Sequence, residues 1–221
     1  MFLNERTTPP GPYRAVLFGV DGTLIDTADL IADALAYTCE RHLGRTHPRD
    51  TYYALIGKPA IVQMEILGGD KAPEMMDTAV SYYEDHFEEE QPFAGALDTL
   101  ARLKEVGIRL ALITSKTRFE LNPTLERVPL QRYASVIVTA DLTTRPKPCP
   151  DPVYLALQTL QIGAHESLFI GDSPYDLQAG RAAGVYTGAA MWGTHSRMAL
   201  EAERPDHVFG SYREILAACG L

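Results

Sequence analysis

The sequence contains few of the residues that crosslink small secreted domains or bind structural zinc. Only three of its 221 residues are cysteines, and Cys39, Cys149 and Cys219 lie far apart along the chain. This spacing fits neither a disulfide framework nor a set of zinc ligands. We therefore expect a protein of the reducing cytoplasm that folds around an apolar core.

Long apolar runs and an excess of positive charge are also missing. No stretch approaches the roughly 18 consecutive apolar residues of a membrane-spanning helix. Residues 1–12 are polar and proline-rich, which predicts a flexible lead and no export signal. The formal net charge is −9, which disfavours a broad nucleic-acid or membrane surface, although one basic pocket could still bind a phosphate. We expect no nucleic-acid or membrane partner.

The remaining composition is that of a globular protein, with 46% hydrophobic and 22% charged residues. Apolar strand patterns alternate with helix patterns in most of the chain. Strands are predicted at 14–18, 108–113, 135–139, 167–170 and 185–189, and helices at 96–105, 119–127, 152–160, 175–183 and 212–218. This alternation predicts a Rossmann-like, doubly wound α/β protein with a parallel sheet. We expect a monomer or a homodimer.

The segment from residue 27 to residue 91 differs from the rest. It has helical patterns, breakers at Gly44 and Pro48, and few β-branched runs. We therefore assign 27–91 to a small inserted helical domain, and 13–26 with 92–221 to the α/β core. The aromatic and acidic stretch 82–90 is interpreted as one solvated helix of that insert.

Several polar residues directly follow predicted strands, where open parallel sheets bind their ligands. They are Asp21, Gly22, Thr23, Thr114, Ser115, Asp172 and Asp176, with Lys147 in a proline-flanked loop. Hydroxyls, loop amides and an ammonium suit phosphoryl oxygens, and carboxylates suit Mg²⁺. The sequence therefore predicts a phosphate pocket beside a cation site.

Each of these segments alone is weak evidence for such a site, since residues of these types are common in turns, helix caps and solvated surfaces. Their order, however, resembles the four motifs of the haloacid dehalogenase superfamily. Phe18-Gly-Val-Asp-Gly-Thr-Leu24 resembles the first motif, Leu112-Ile-Thr-Ser115 the second, Lys147 the third, and Gly171-Asp172 with Asp176 the fourth. The resemblance spans roughly residue 14 to the C-terminus. Over that length, the overall sequence pattern is similar to the phosphoglycolate phosphatase and pyrophosphatase-like branch.

The resemblance implies Mg²⁺-dependent hydrolysis of a small phosphate monoester or pyrophosphate. Asp21 would be the general acid/base, with its carbonyl also touching Mg²⁺. Asp172 would bind the metal directly and Asp176 would support it. The phosphoryl group would be bound by Thr114, Ser115, Lys147 and the loop at Gly22, with Lys147 also stabilising its charge.

The helical block is similar to the C1 cap of this superfamily, which closes over the site and excludes water. Ile56-Gly-Lys-Pro59 falls where the family often has its substrate-specificity loop. Lys58 could therefore reach a second anionic group of the substrate. It could equally be an exposed lysine before a helix-starting proline.

One position departs from the family pattern. Two residues before Asp21, the superfamily has the aspartate that attacks phosphorus, and this chain has Gly19. Loss of such a nucleophile typically costs on the order of 10⁶ in turnover. It would also weaken Mg²⁺ binding, because one anionic ligand is lost. The chain is therefore expected to be a poor phosphatase.

Three explanations of Gly19 stay open. The chain is a variant of a working phosphatase, since aspartate and glycine codons differ by one nucleotide. Alternatively, it is a catalytically inactive pseudoenzyme that binds a phosphorylated ligand or a protein partner. As a third possibility, Asp21 or a metal-bound water attacks directly. A misaligned motif is disfavoured, because Asp21-Gly-Thr-Leu follows a strand pattern in the expected register.

Overall fold

The computed structural model describes residues 13–221, so the flexible lead expected at 1–12 lies outside the described residues. The strands are β1 (Ala15–Phe18), β2 (Ile25–Asp26), β3 (Gln91–Pro92), β4 (Arg109–Ile113), β5 (Val136–Val138), β6 (Ser167–Gly171), β7 (Tyr186–Ala190) and β8 (His207–Phe209). The helices are α1 (Ala28–Leu43), α2 (Arg49–Tyr53), α3 (Ala60–Gly68), α4 (Ala72–His86), α5 (Ala96–Glu105), α6 (Arg118–Arg127), α7 (Asp151–Leu160), α8 (Pro174–Ala183), α9 (Arg197–Ala202) and α10 (Tyr212–Ala218).

A six-stranded parallel sheet in the order β5-β4-β1-β6-β7-β8 forms the centre of the protein. Strand β1 is fully buried because helices cover both faces of the sheet. Its residues alternate between two cores: Val16 and Phe18 pack with α5, α6 and α10, and Ala15 and Leu17 pack with α7 and α8. The predicted Rossmann-like, doubly wound α/β fold is confirmed.

Helices α1 to α4 form a separate unit with its own apolar core. Leu35, Tyr52, Met64 and Met75 are among the buried residues of that core. The chain enters and leaves the unit through β2 and β3, which pair antiparallel with Ile25 opposite Pro92. The unit is therefore connected to the sheet by two adjacent chain segments, which allows it to be placed over the strand ends.

The strands predicted from apolar runs are confirmed to within about one residue of their ends, as is usual for boundary assignments. The sequence pattern missed the two-residue strands β2 and β3 as well as β8 and α9. Strand β8 has only three residues, lies at the edge of the sheet and leaves Val208 40% exposed, so its apolar signal is weak. No helix among residues 13–221 combines the length and the apolarity needed to span a bilayer.

Candidate active site

The loop after β1 places Asp21 at the carboxyl end of the central strand. Its turn is closed by hydrogen bonds from the N–H groups of Leu24 and Ile25 to the Val20 carbonyl, at 2.8 and 3.0 Å. Gly22 has a φ of +72°, and a Cβ there would collide with the Asp172 carboxylate. Its N–H donates to the Ile25 carbonyl at 2.8 Å. Because Gly22 has no side chain, the loop after β1 can approach Asp172 closely. The Gly22 N–H is already bonded within the turn.

Apart from Gly22, the predicted site residues meet in one cavity of about 120 Å³ between the strand ends and the helical unit. Its lining includes Asp21, Lys58, Thr114, Ser115, Lys147, Asp172 and Asp176. They come from the segments after β1, β4 and β6, from the loop before α7 and from the loop before α3. Tertiary folding thus brings together residues that are more than 100 positions apart in sequence.

Lys147 and Asp176 form a buried ion pair. The Lys147 ammonium donates to Asp176 Oδ1 at 2.5 Å, and both side chains are at most 5% exposed. Asp176 Oδ2 accepts from the Ser173 hydroxyl at 2.5 Å and from the Ser173 N–H at 3.2 Å. The Asp176 N–H donates back to Ser173 Oγ at 3.3 Å, which completes a capping box at the start of α8. Asp176 therefore fixes both the lysine and the first turn of the helix.

The Asp172 carboxylate accepts a hydrogen bond from Thr23 Oγ1 at 2.8 Å and another from the Thr194 N–H at 3.1 Å. Burial, followed by the charge of Asp176, raises the pKa of Asp172 to about 6. The two carboxylates thus leave negative charge in the crevice that Lys147 does not fully compensate.

This uncompensated charge fits a hard divalent cation. Among the described residues, no group of three or more acidic, histidine or cysteine side chains is close enough to form a complete cage. Mg²⁺ does not require such a cage, because it is usually bound by one or two carboxylates together with waters and substrate phosphate oxygens. Asp172 and Asp176 supply carboxylate oxygens of that kind.

Lys116 is a site residue that the sequence motifs did not single out. Its ammonium lies 2.9 Å from Asp21 Oδ1 and 3.3 Å from Glu90 Oε1, and it donates to the Tyr83 hydroxyl at 2.8 Å. Although burial alone lowers the pKa of Lys116, attraction to Asp21, Tyr83 and Glu90 raises it well above the ordinary value. Lys116 is therefore a fixed positive charge beside Asp21.

The interpretation of residues 82–90 as one solvated helix is wrong. Helix α4 ends at His86, and the Glu90 side chain is 0% exposed. Glu90 accepts hydrogen bonds from the Tyr83 hydroxyl and, at 2.9 Å, from Thr124 Oγ1. Burial also raises the pKa of Tyr83 well above its ordinary value. A run of acidic residues cannot show which member is buried, because that depends on the distant Lys116.

The hydroxyls of the second motif have different partners. Thr114 Oγ1 accepts the Lys116 N–H at 3.1 Å, and no described acceptor takes its own proton. The Ser115 hydroxyl instead donates to the Gly57 carbonyl at 2.6 Å. In this structure Thr114 is thus available to donate to a phosphoryl oxygen, whereas Ser115 binds the loop before α3.

That loop, residues 54–58, has further contacts with the α/β core. The His195 Nε2 atom lies 2.9 Å from the Ile56 carbonyl oxygen, and the Tyr175 hydroxyl donates to the Ala54 carbonyl at 3.3 Å. The Lys58 ammonium lies 4.1 Å from the centre of the Tyr175 ring, which is a cation–π distance. The helical unit is therefore attached to the core directly beside the cavity.

Thr23 occupies the space that a side chain at position 19 would need. A Cβ built on Gly19 would lie 2.7 Å from Thr23 Oγ1 and 3.3 Å from Thr23 Cβ. Gly19 is not among the described glycines with positive φ, so its backbone suits other residues. Any substitution at Gly19 must therefore move the hydroxyl that binds Asp172.

Comparison with known proteins places this geometry in a family. Residues 16–190 match the family described as "Haloacid dehalogenase-like hydrolase". PpaX of Caldanaerobacter subterraneus subsp. tengcongensis, provisionally named a pyrophosphatase, is 36% identical over 203 residues that cover 91% of this chain and 92% of the relative. The pyrophosphatase PpaX of Bacillus pumilus is 31% identical over 219 residues, which cover 99% of each protein.

A solved structure from Lactobacillus plantarum, provisionally assigned as a phosphoglycolate phosphatase, is also similar. It aligns with a TM-score of 0.83 at 26% identity and covers 94% of this chain and 99% of its own. Since the family match spans most of the sequence and the relatives align over nearly all of it, the chain belongs to the haloacid dehalogenase-like hydrolases, in the phosphoglycolate phosphatase and pyrophosphatase-like branch.

Proposed function

We propose that the site is built for Mg²⁺-dependent hydrolysis of a small phosphate monoester or pyrophosphate, with turnover severely reduced by Gly19. One observation carries this proposal: Asp21, Thr114, Lys147 and Asp172 line a single cavity at the strand ends. Hydroxyl, ammonium and carboxylate groups gathered in one cavity are what is needed to position a phosphoryl group and to neutralise its charge.

Thr114 would donate its free hydroxyl proton to a phosphoryl oxygen, and Lys147 would balance the negative charge that develops there. Lys147 is already oriented by its 2.5 Å hydrogen bond to Asp176, so it need not be reorganised during the reaction. Asp21 would protonate the oxygen of the leaving group. Lys116, 2.9 Å from Asp21 Oδ1, would position that carboxyl group.

Phosphatases of this family generally use a metal ion. We assign the ion here as Mg²⁺, with Asp172 as a ligand and Asp176 and the Asp21 carbonyl as supporting groups. When bound, it would neutralise charge on the phosphoryl oxygens. The helical unit would act as a cap that closes over the cavity and excludes water, with the loop at Lys58 contacting the part of the substrate beyond the phosphoryl group.

The test compares phosphate release by the chain and by Gly19→Asp, with Mg²⁺ and a panel of small phosphate esters and pyrophosphate. Gly19→Asn is the matched control, because it has nearly the same size but no attacking carboxylate. We expect Gly19→Asp to gain several orders of magnitude on at least one substrate, up to about 10⁶, and Gly19→Asn to gain nothing. An equal gain in both variants would contradict the proposal.

A second function is supported by the position of Thr23. Because Thr23 Oγ1 fills the space beside Gly19 and binds Asp172, the pocket is well packed without a nucleophile. Such a pocket could bind a phosphorylated ligand or protein partner without hydrolysing it. If Gly19→Asp stays inert while the unmodified chain binds a phosphorylated ligand, this binding function replaces the phosphatase.

A further inference from the structure

Thr23 connects the Asp172 carboxylate to two aromatic side chains, Trp192 and Tyr212. Its hydroxyl donates to Asp172 Oδ1 at 2.8 Å, and the residue is fully buried. Its backbone carbonyl accepts the Trp192 indole N–H at 3.1 Å and also accepts the Tyr212 hydroxyl. A carbonyl oxygen has two lone pairs, so both are used here. Thr23 is therefore held at its carbonyl while its hydroxyl is directed at Asp172.

Trp192 and Tyr212 also hold each other in place. Their ring centres are 4.5 Å apart, with 39° between the ring planes. Tyr212 belongs to the core cluster that contains Phe18, and Trp192 packs against that cluster. Burial raises the pKa of Tyr212 well above its ordinary value, so its hydroxyl keeps its proton and remains a donor. Both donors to Thr23 thus come from rings that packing has already fixed.

The loop after β7 fixes the second oxygen of Asp172. The Thr194 N–H donates to Asp172 Oδ2 at 3.1 Å. A Cβ built on Gly193 would lie 2.2 Å from the Asp172 Cβ, so only glycine allows the loop to approach this closely. Trp192 directly precedes Gly193 in the same loop. The loop therefore reaches both carboxylate oxygens, one through the Thr194 amide and the other through Trp192 and Thr23.

The orientation of Asp172 matters because Mg²⁺ requires nearly octahedral geometry, with oxygen ligands at about 2.1 Å. Groups that hydrogen-bond a metal ligand typically change metal affinity by about 10- to 100-fold. Neither Trp192 nor Tyr212 is among the described residues that line the cavity. We infer, on the basis of the proposed function, that Trp192 and Tyr212 are positioning residues that orient Asp172 for the metal through Thr23.

Magnesium affinity measured without substrate tests this inference, since it does not depend on turnover. A double-mutant cycle compares the unmodified chain, Tyr212→Phe, Thr23→Val and the double variant. Tyr212→Phe keeps the ring that packs on Trp192 and loses only the hydroxyl. Thr23→Val nearly conserves the shape of the side chain and loses the hydroxyl that donates to Asp172. Both substitutions therefore remove one hydrogen bond with little change in packing.

We expect Thr23→Val to weaken Mg²⁺ binding about tenfold and Tyr212→Phe to weaken it about threefold. In the Thr23→Val background, Tyr212→Phe should change the affinity by less than about 1.5-fold, because the connection to Asp172 is already lost. Tyr154→Phe is the matched control, since it also removes a hydroxyl that donates to a backbone carbonyl, that of Ala182. The control should leave Mg²⁺ affinity unchanged.

Two NMR signals report binding from opposite sides of Asp172. Trp192 is the single tryptophan of the chain, so its indole N–H gives one signal in a proton–nitrogen spectrum. The Thr194 amide gives the other. Both signals should shift as Mg²⁺ is added, and the titration curves give the dissociation constants. In Thr23→Val the indole signal should move much less, while the Thr194 amide still shifts.

The outcomes separate this inference from the proposed function. If Mg²⁺ binds but Tyr212→Phe has no effect, or has the same effect in both Thr23 backgrounds, the inference is wrong and the metal site stands. An indole signal that stays still in the unmodified chain while the Thr194 amide shifts would likewise exclude Trp192. If neither signal shifts with Mg²⁺, the metal assignment in the proposed function and this inference both fail.

Discussion

The Lys116 ammonium lies 2.9 Å from Asp21 Oδ1 and 3.3 Å from Glu90 Oε1. Asp21 follows the central strand, Glu90 lies where the helical unit returns to the core, and Tyr83 of α4 completes the group. One lysine therefore connects the proposed acid/base to the helical unit. The contact between the helical unit and the core and the position of Asp21 therefore involve the same ammonium.

Lys116→Met should lower the free energy of unfolding by about 3 kcal/mol, because Glu90 is left as a buried charge without its cation. In a Glu90→Gln background, Lys116→Met should lower the free energy of unfolding by less, and the difference between the two backgrounds should be about 1 kcal/mol or more. Urea denaturation of the wild type, both single variants and the double variant measures this coupling. Equal costs in both backgrounds would show that Lys116 and Glu90 do not interact.

Gly19→Ala should destabilise the protein by about 1–3 kcal/mol, since its Cβ must displace Thr23 Oγ1. A Thr23→Ser background should recover part of this cost, because serine lacks the methyl group and its hydroxyl rotates more freely. Denaturant midpoints of the four proteins provide the measurement. A neutral Gly19→Ala substitution would mean that the space at position 19 is open.

Stability without added metal should depend on the ionisation of Asp172. Its pKa in the folded protein is raised above that of the unfolded chain, so the folded state binds the extra proton between about pH 4 and pH 6. The stabilising contribution is present below that range and is lost as pH rises through it. Melting temperatures in EDTA should therefore show this loss, and Asp172→Asn should remove it.

The stabilisation by Mg²⁺ should increase as pH rises, because the metal binds the ionised carboxylate of Asp172. The increase in melting temperature on adding Mg²⁺ should be larger at pH 7.5 than at pH 5. An increase that does not change with pH, or that survives in Asp172→Asn, would exclude Asp172 as the metal ligand.

Ser115→Ala should loosen the loop at residues 54–58, because the Gly57 carbonyl loses its 2.6 Å hydrogen bond. Hydrogen exchange of the amides in this loop should accelerate while exchange in β1 and β4 stays unchanged. Thr159→Val is the matched control, since the Thr159 hydroxyl donates within α7 to the Leu155 carbonyl and has no other bond among residues 13–221. Similar exchange in both variants would show that Ser115 does not hold the loop.

The fold could be predicted from the sequence because β1, β4 and β6 are short, almost wholly apolar runs that must be covered on both faces. The placement of Asp21, Thr114 and Asp172 followed from the same reasoning, because parallel strands present their carboxyl ends at one edge. Strand β8 and helix α9 escaped prediction, because their apolar signals are too short to stand out from loops.

The sequence by itself determined the alternation of elements and the identities of the polar residues after the strands, since both depend on local patterns. Only the tertiary structure decided that Lys116 pairs with Asp21 and Glu90, that Ser115 binds the Gly57 carbonyl, and that side chains of the helical unit line the same cavity as Asp21 and Asp172. Those relationships join residues that are far apart in the chain. They arise because the sheet and the helical unit are packed against each other, and no local pattern encodes that arrangement.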